Sequence, residues 1–360
     1  MFVRAVQQFG IDLGTCNTVI YQHGNGIVMH EPSVVAIWKD TNSIAAYGAE
    51  AKAMLGRTSA RIEVFYPLKE GVLADFELTA GMIKYFITKI KGKSTWFGAT
   101  QFMISIPCGI SDIQKRAIEK LVIHHGASKV IVVERPLAAA MGEGLPVYEP
   151  IGSMVLDIGG STSQAALISM GKIVESHSIP VGGKSIDQAL IEHMSMNHHL
   201  AIGERTAEEF KLEVIRAMQD KREERIEIKG RDLNEGLPKA IFISIEELRS
   251  VFDDFTLAIL NCIRLAMEKF PPELLNDVLE RGILLSGGGS LLPSLYAKLQ
   301  TETGISIHRA EKPLECVAIG AGLLLLNLQP GYRNRNRLAY MDGYQDIFML
   351  KQENELLGIS

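Results

Sequence analysis

The chain has 360 residues, 47% apolar and 22% charged, with a formal net charge of −5. That length and apolar content suit about two globular domains, and the mildly negative balance argues against a nucleic-acid partner. The four cysteines, Cys16, Cys108, Cys262 and Cys316, show no CxxC spacing, so neither a zinc site nor a disulfide framework is indicated and a reducing cytoplasm fits best.

The opening Met1-Phe2-Val3-Arg4-Ala5-Val6 is too short and too soon polar for a signal peptide. From Phe9 to Ile37 the pattern predicts a β-meander, with Gly24-Asn25-Gly26 turning between Val19-Ile20-Tyr21 and Ile27-Val28-Met29. Leu78, Met82, Phe86 and Ile90 recur at helical spacing within 77–91, and Gln101 to Pro107 reads as a buried strand. Asp112 to His125 is a predicted helix capped by Ser111 or Asp112. A strand at Val130 to Val133 and a helix from Leu137 to Glu143 complete an α/β unit, which Pro146 and Pro150 close.

A second unit follows with a strand pair around Ala165 to Ile179 and a helix from Ser185 to His198. The charged stretch Gln219 to Asp232 reads as a solvated face, and Ser244 to Lys269 as a long amphipathic helix stopped by Pro271-Pro272. Gly282 to Ser286 is a strand feeding Gly287-Gly288-Gly289. The echo between halves suggests an internal duplication. The apolar run Val317 to Leu326 is well short of the ~20 residues of a bilayer-spanning helix, so any membrane contact is expected to be peripheral. Residues 331–345, with Arg333, Arg335 and Arg337, read as a flexible lead into a tail helix ending Ile347-Phe348-Met349-Leu350.

Two loops carry the chemistry. In Phe9-Gly10-Ile11-Asp12-Leu13-Gly14-Thr15 and again in Val155-Leu156-Asp157-Ile158-Gly159-Gly160-Ser161-Thr162, an apolar strand ends in an aspartate and then a glycine. Glycine lets backbone N–H groups approach an anion with no Cβ in the way, and the following hydroxyl is a further donor. A carboxylate facing phosphate implies a cation between them, such as Mg2+ reached through water. The pair therefore predicts a metal-nucleotide held between two domains.

Asp12-Leu13-Gly14-Thr15, Asp157-Ile158-Gly159-Gly160 and Gly287-Gly288-Gly289, in this order, resemble the actin, Hsp70 and sugar-kinase superfamily. Glu31-Pro32-Ser33-Val34-Val35-Ala36, Gly71 to Phe76, Pro136 to Ala140, Gly203 to Glu208 and Pro271-Pro272-Glu273-Leu274 narrow the resemblance to the bacterial actin homologue MreB over roughly residues 8–328. The resemblance implies an α/β, actin-like ATPase fold: two duplicated ribonuclease-H-like lobes, each split into two subdomains around a nucleotide cleft. The expected division is 1–30, 73–146 and 317–360 (subdomain IA), 31–72 (IB), 147–181 and 243–316 (IIA), and 182–242 (IIB).

It further implies ATP or ADP with Mg2+. Thr15, Cys16 and Asn17 would wrap the β-phosphate, Asp12 and Asp157 would face the metal through water, and Gly159, Gly160, Ser161 and Thr162 would cradle the terminal phosphate. Glu208 and Lys211, three residues apart on one helical face with Phe210 between them, would bracket the ribose. Gly287, Gly288, Gly289 and Ser290 would close on adenine.

The sequence also departs from the family. Where a Glu-Glu-Pro is usual, with the second carboxylate orienting the attacking water, this chain reads Val133-Glu134-Arg135-Pro136. Arginine offers only donors and cannot act as a base. In an extended segment Glu134 would face away from the phosphate. Ser161 and Gln164 stand where glycine and an acid are usual. Nucleotide binding with weak hydrolysis is the resulting expectation. Arg135 is either a cation near the phosphates or a surface ion-pair partner of Glu134 or a neighbour.

The loop Lys91-Gly92-Lys93-Ser94-Thr95-Trp96-Phe97-Gly98 resembles the family's membrane loop, with Trp96 and Phe97 inserting or, alternatively, capping the core. Filaments on the inner face of the cytoplasmic membrane would turn weak insertion into avidity. The resemblance implies filaments paired antiparallel through the helix at 112–125, where Ile113, Ala117 and Leu121 would make one apolar stripe that otherwise simply faces the core, and partnership with other MreB paralogues and the cell-wall synthesis machinery in determining cell shape. The rival reading is a sugar-kinase-type phosphotransferase, for which no aspartate base beside a substrate pocket stands out. An Hsp70-like chaperone would need a peptide-binding domain for which the tail is too short.

Overall fold

The computed structural model describes residues 6–91, 99–220 and 225–328. β1 (Gln7–Leu13), β2 (Asn17–Gln22) and β3 (Gly26–Pro32) form the expected antiparallel meander, and Gly24 and Gly26 take the positive φ that its turn requires. The chain then leaves this sheet. β4 (Val35–Trp38), β5 (Ile44–Tyr47), α1 (Gly48–Met54) and β6 (Ile62–Phe65) build a small sheet over Val34, Ala36, Ala46 and Ala51, followed by the short hairpin β7 (Leu68–Lys69) and β8 (Val72–Leu73).

α2 (Phe76–Lys91) buries Met82, Ile83, Phe86 and Ile87 against the first sheet, where β9 (Thr100–Ile106) runs parallel to β1. α3 (Asp112–His124) starts with a capping box between Ser111 and Gln114, and β10 (Lys129–Glu134) pairs parallel with β9. α3 turns Ile118, Leu121 and Val122 to the core and leaves Ile113 81% exposed. Ile113, exposed, and Leu121, buried, therefore do not share with Ala117 the single apolar stripe expected of them. α4 (Arg135–Gly142) begins directly after β10.

The second half repeats the plan with β11 (Ser153–Ile158), β12 (Ser163–Ser169) and β13 (Lys172–Ile179). After α5 (Gly183–His198), β14 (Leu200–Ala201) and α6 (Glu204–Gln219) come β15 (Arg225–Asp232) and β16 (Pro238–Ser244), which form a three-stranded sheet with β14. The charged stretch is thus partly a strand: Ile226 and Ile228 alternate inward and the charges between them face solvent. α7 (Arg249–Met267) starts five residues later than expected, because Ser244 is still paired with Arg225. α8 (Pro272–Arg281), β17 (Ile283–Ser286), α9 (Pro293–Thr303), β18 (Ile307–Arg309) and α10 (Cys316–Asn327) complete the described chain.

The two main sheets run β10-β9-β1-β2-β3 and β18-β17-β11-β12-β13. Each has an antiparallel meander on one side of its first strand and two parallel strands on the other. The duplication read from the sequence is therefore a duplication of topology. α10 is its keystone. The apolar run Val317 to Leu326 lies in this helix, which is buried against α4 and β1. A Cβ on Gly320 would lie 1.8 Å from the Ala138 carbonyl oxygen, and one on Gly142 2.0 Å from that of Cys316. The two helices touch backbone to backbone at these points. Among the described residues no helix is long and apolar enough to cross a membrane.

Candidate functional site

The loops after β1 and β11 have the same hydrogen-bonded turn. Gly14 N–H donates to the Asn17 carbonyl at 3.1 Å, and Gly159 N–H to the Thr162 carbonyl at 2.8 Å. The loops meet: Ser161 Oγ donates to Thr15 Oγ1 at 2.9 Å, and Thr15 Oγ1 also accepts from Gly71 N–H at 3.0 Å. A Cβ on Gly160 would stand 2.2 Å from Cys16 Sγ, so this glycine is what allows the two lobes to close on each other.

Above them lies a cleft of about 860 Å³. Asp12, Thr15, Cys16, Asn17, Arg135, Gly159, Gly160, Ser161 and Thr162 line its floor, and Glu208, Lys211, Gly287, Gly288 and Gly289 its walls.

The aspartates are held in equivalent ways. Asp12 ends β1 beside Ser105 of the parallel strand β9, whose hydroxyl donates to Oδ1 at 2.8 Å. Asp157 ends β11 beside Ser286 of the parallel strand β17, whose hydroxyl donates to Oδ1 at 3.0 Å. Neither serine was singled out in the sequence. The available signal was a serine at or next to the end of each parallel strand, Ser105 in β9 and Ser286 in β17.

Arg135 joins the two. It is the first residue of α4, and its guanidinium lies between the carboxylates: Nε donates to Asp157 Oδ2 at 3.0 Å, Nη1 to Asp12 Oδ1 at 2.6 Å and Nη2 to Asp12 Oδ2 at 3.4 Å. The side chains of Arg135, Asp12 and Asp157 are 11%, 10% and 2% exposed. Burial by itself would lower the guanidinium pKa, but Asp12 and then Asp157 outweigh it and hold Arg135 above its ordinary value. Of the two readings open for Arg135, the surface ion pair is overturned. Glu134 caps α4 with its backbone and does not line the cleft.

With the serines counted, all four carboxylate oxygens accept a hydrogen bond, and a fixed cation stands where a hydrated Mg2+ was expected to face Asp12 and Asp157. A second, doubly charged ion beside it would meet repulsion at close range. This donor set does not fit the metal.

The walls differ from expectation in detail. Glu208 pairs across the cleft with Lys52 of α1 at 2.8 Å, and Lys211 is held by Asp187 at 2.7 Å and by the Gly183 carbonyl at 3.0 Å. Lys184 Nζ sits 2.9 Å from the centre of the Tyr66 ring, a second link across the mouth of the cleft. Phe210 is 3% exposed in the second lobe's core and does not line the cleft, because it lies on the opposite face of α6 from Glu208 and Lys211. Ser290 is also buried, with its hydroxyl on the Gly287 carbonyl. Gly287 and Gly289 press on the end of β11, where a Cβ would lie 2.3 Å from Ile158 O and 2.2 Å from Ile158 Cγ2. Gln164 is buried and turned towards Cys108 N–H and Ser178 Oγ. Trp96, Phe97 and the tail after Leu328 lie outside the described residues.

A family model described as MreB/Mbl protein matches residues 6–330. The cell shape-determining protein Mbl of Bacillus subtilis (strain 168) is 40% identical over 328 residues, 91% of this chain and 97% of that one. The cell shape-determining protein MreB of Escherichia coli (strain K12) is 43% identical over 319 residues, 88% of this chain and 92% of that one. Among solved structures, MreB5 of Spiroplasma citri bound to AMPPNP aligns with a TM-score of 0.84 at 31% identity, covering 91% of this chain and 98% of that one.

Proposed function

The chain belongs to the MreB/Mbl family and has an actin-like fold, and from that premise we propose that it is a nucleotide-binding cytoskeletal protein whose filaments determine cell shape. The observation that carries the reading is the meeting of two glycine loops with matched turns, one from each lobe, at the floor of one large cleft. Such a floor presents backbone N–H groups from two sides, which suits a polyphosphate. The related MreB5, crystallised with AMPPNP, and relatives named as cell shape-determining proteins support it.

In this reading the backbone of Thr15 to Asn17 takes one phosphate and that of Gly159 to Thr162 the terminal one. Glu208 and Lys211 flank the ribose, and Gly287 to Gly289 face the base. Because the nucleotide touches both lobes, it stabilises the closed arrangement in which copies stack into filaments. Hydrolysis is weak, since Arg135 is a donor only and already engaged with both aspartates. Losing a general base typically costs about 10²–10⁴-fold in rate.

Trp96 and Phe97 would hold the filament on the inner face of the cytoplasmic membrane, where it organises wall synthesis with other family members. Two measurements test the assignment: equilibrium titration with ATP and ADP, and co-sedimentation with anionic vesicles of the parent and of a W96S/F97S variant. Saturable nucleotide binding and vesicle pelleting that the double substitution abolishes without unfolding are expected. No nucleotide binding, or unchanged pelleting, contradicts it.

A further inference from the structure

Resting on the nucleotide reading above, we propose that the Arg135 guanidinium is the built-in counter-cation of the phosphate site and that this chain binds ATP or ADP as the metal-free polyphosphate. Two aspartates at the floor of a phosphate site repel the ligand unless a cation stands between. Here that cation is part of the chain. Arg135 commits three of its five N–H donors to Asp12 and Asp157 and lines the cleft, so the others are left for phosphate oxygen.

It is also fixed in place. Pro136 follows at the start of α4, and α4 is locked against α10 by the backbone contact at Gly320. Swinging the guanidinium out to admit a metal would strand two buried carboxylates, and the serines already occupy one oxygen of each. Lys184 lines the same cleft as a further cation, whereas Lys52 and Lys211 are paired there with Glu208 and Asp187.

A divalent ion thus finds both aspartates already engaged, and in solution it binds the polyphosphate oxygens that Arg135 would otherwise meet. The probe is ATP, titrated calorimetrically into the full-length protein in EDTA and again in excess Mg2+. Affinity in EDTA is expected to equal or exceed that in Mg2+. A tenfold or greater weakening in EDTA overturns it. Binding in neither condition overturns the nucleotide reading itself, so the two failures are distinguishable.

An Arg135→Gln variant should reverse the dependence, binding ATP at least tenfold more tightly with Mg2+ than with EDTA. An unchanged metal response in that variant would contradict the role given to Arg135. If Arg135→Gln does not fold, Arg135→Lys keeps one charge without the fork, and the parent's own EDTA comparison still decides the proposal.

Discussion

Replacing Arg135 by Gln leaves a shorter polar side chain and removes the positive charge that stands between Asp12 and Asp157. Each of the lost bonds to a charged group is worth about 1.5–3 kcal/mol, but the protein will not carry the whole loss. Two buried carboxylates on one site cannot both stay ionised, and one takes up a proton. Breaking a buried ion pair by removing one partner costs about 3–5 kcal/mol. The orphaned acid's folded pKa lies above its unfolded value of about 4. The penalty is therefore fully present above the folded pKa and fades as pH falls towards the unfolded one. Urea unfolding of parent and variant at several pH values between about 5 and 8 reads both magnitude and slope. A loss below about 1 kcal/mol, or a loss of several kcal/mol that does not shrink with falling pH, would refute the buried triad.

Gly160→Ala should weaken ATP binding by at least about tenfold, because the new Cβ would lie 2.2 Å from Cys16 Sγ and force the loops apart; adding Cys16→Gly should restore most of it, and equal loss in both backgrounds would contradict the interlock. Gly320→Ala overpacks the contact between α4 and α10 and should cost about 1–3 kcal/mol in urea unfolding, whereas a change under about 0.5 would mean the helices simply slide. Burial pushes the thiol of Cys316 up to about 12 and that of Cys262 to about 11, so both should resist iodoacetamide in the native protein at pH 8 and react on unfolding; rapid native labelling at either would contradict their burial.

The parts of the fold legible in the sequence were those written in local pattern. The meander, its Gly24-Asn25-Gly26 turn and the aspartate-glycine loops depend on neighbours a few residues apart. Misreadings came where one signal masked another. In Arg225 to Asp232 the alternation of Ile226 and Ile228 was hidden by the charges between them, and Ile245 to Leu248 continued an apolar pattern without continuing a helix. The site's decisive contacts depend on strand register. Ser105 meets Asp12, and Ser286 meets Asp157, only because β9 lies beside β1 and β17 beside β11 in register. Arg135 was visible as an anomaly next to Pro136, but its place between two carboxylates from different lobes required the sheets. Phe210 shows the reverse: it shares a sequence segment with Glu208 and Lys211 but not their face of α6.

Under the proposed function the cleft holds a nucleotide, and Arg135 stands where a carboxylate would orient the attacking water. The most direct test is electron microscopy of the purified protein with ATP on lipid monolayers, with phosphate release followed in the same samples and relatives that retain both glutamates run alongside. Ordered filaments with ATP are expected, with phosphate release about 10²-fold or more below that of those relatives. Release at a comparable rate would contradict this reading, as would failure to assemble with ATP.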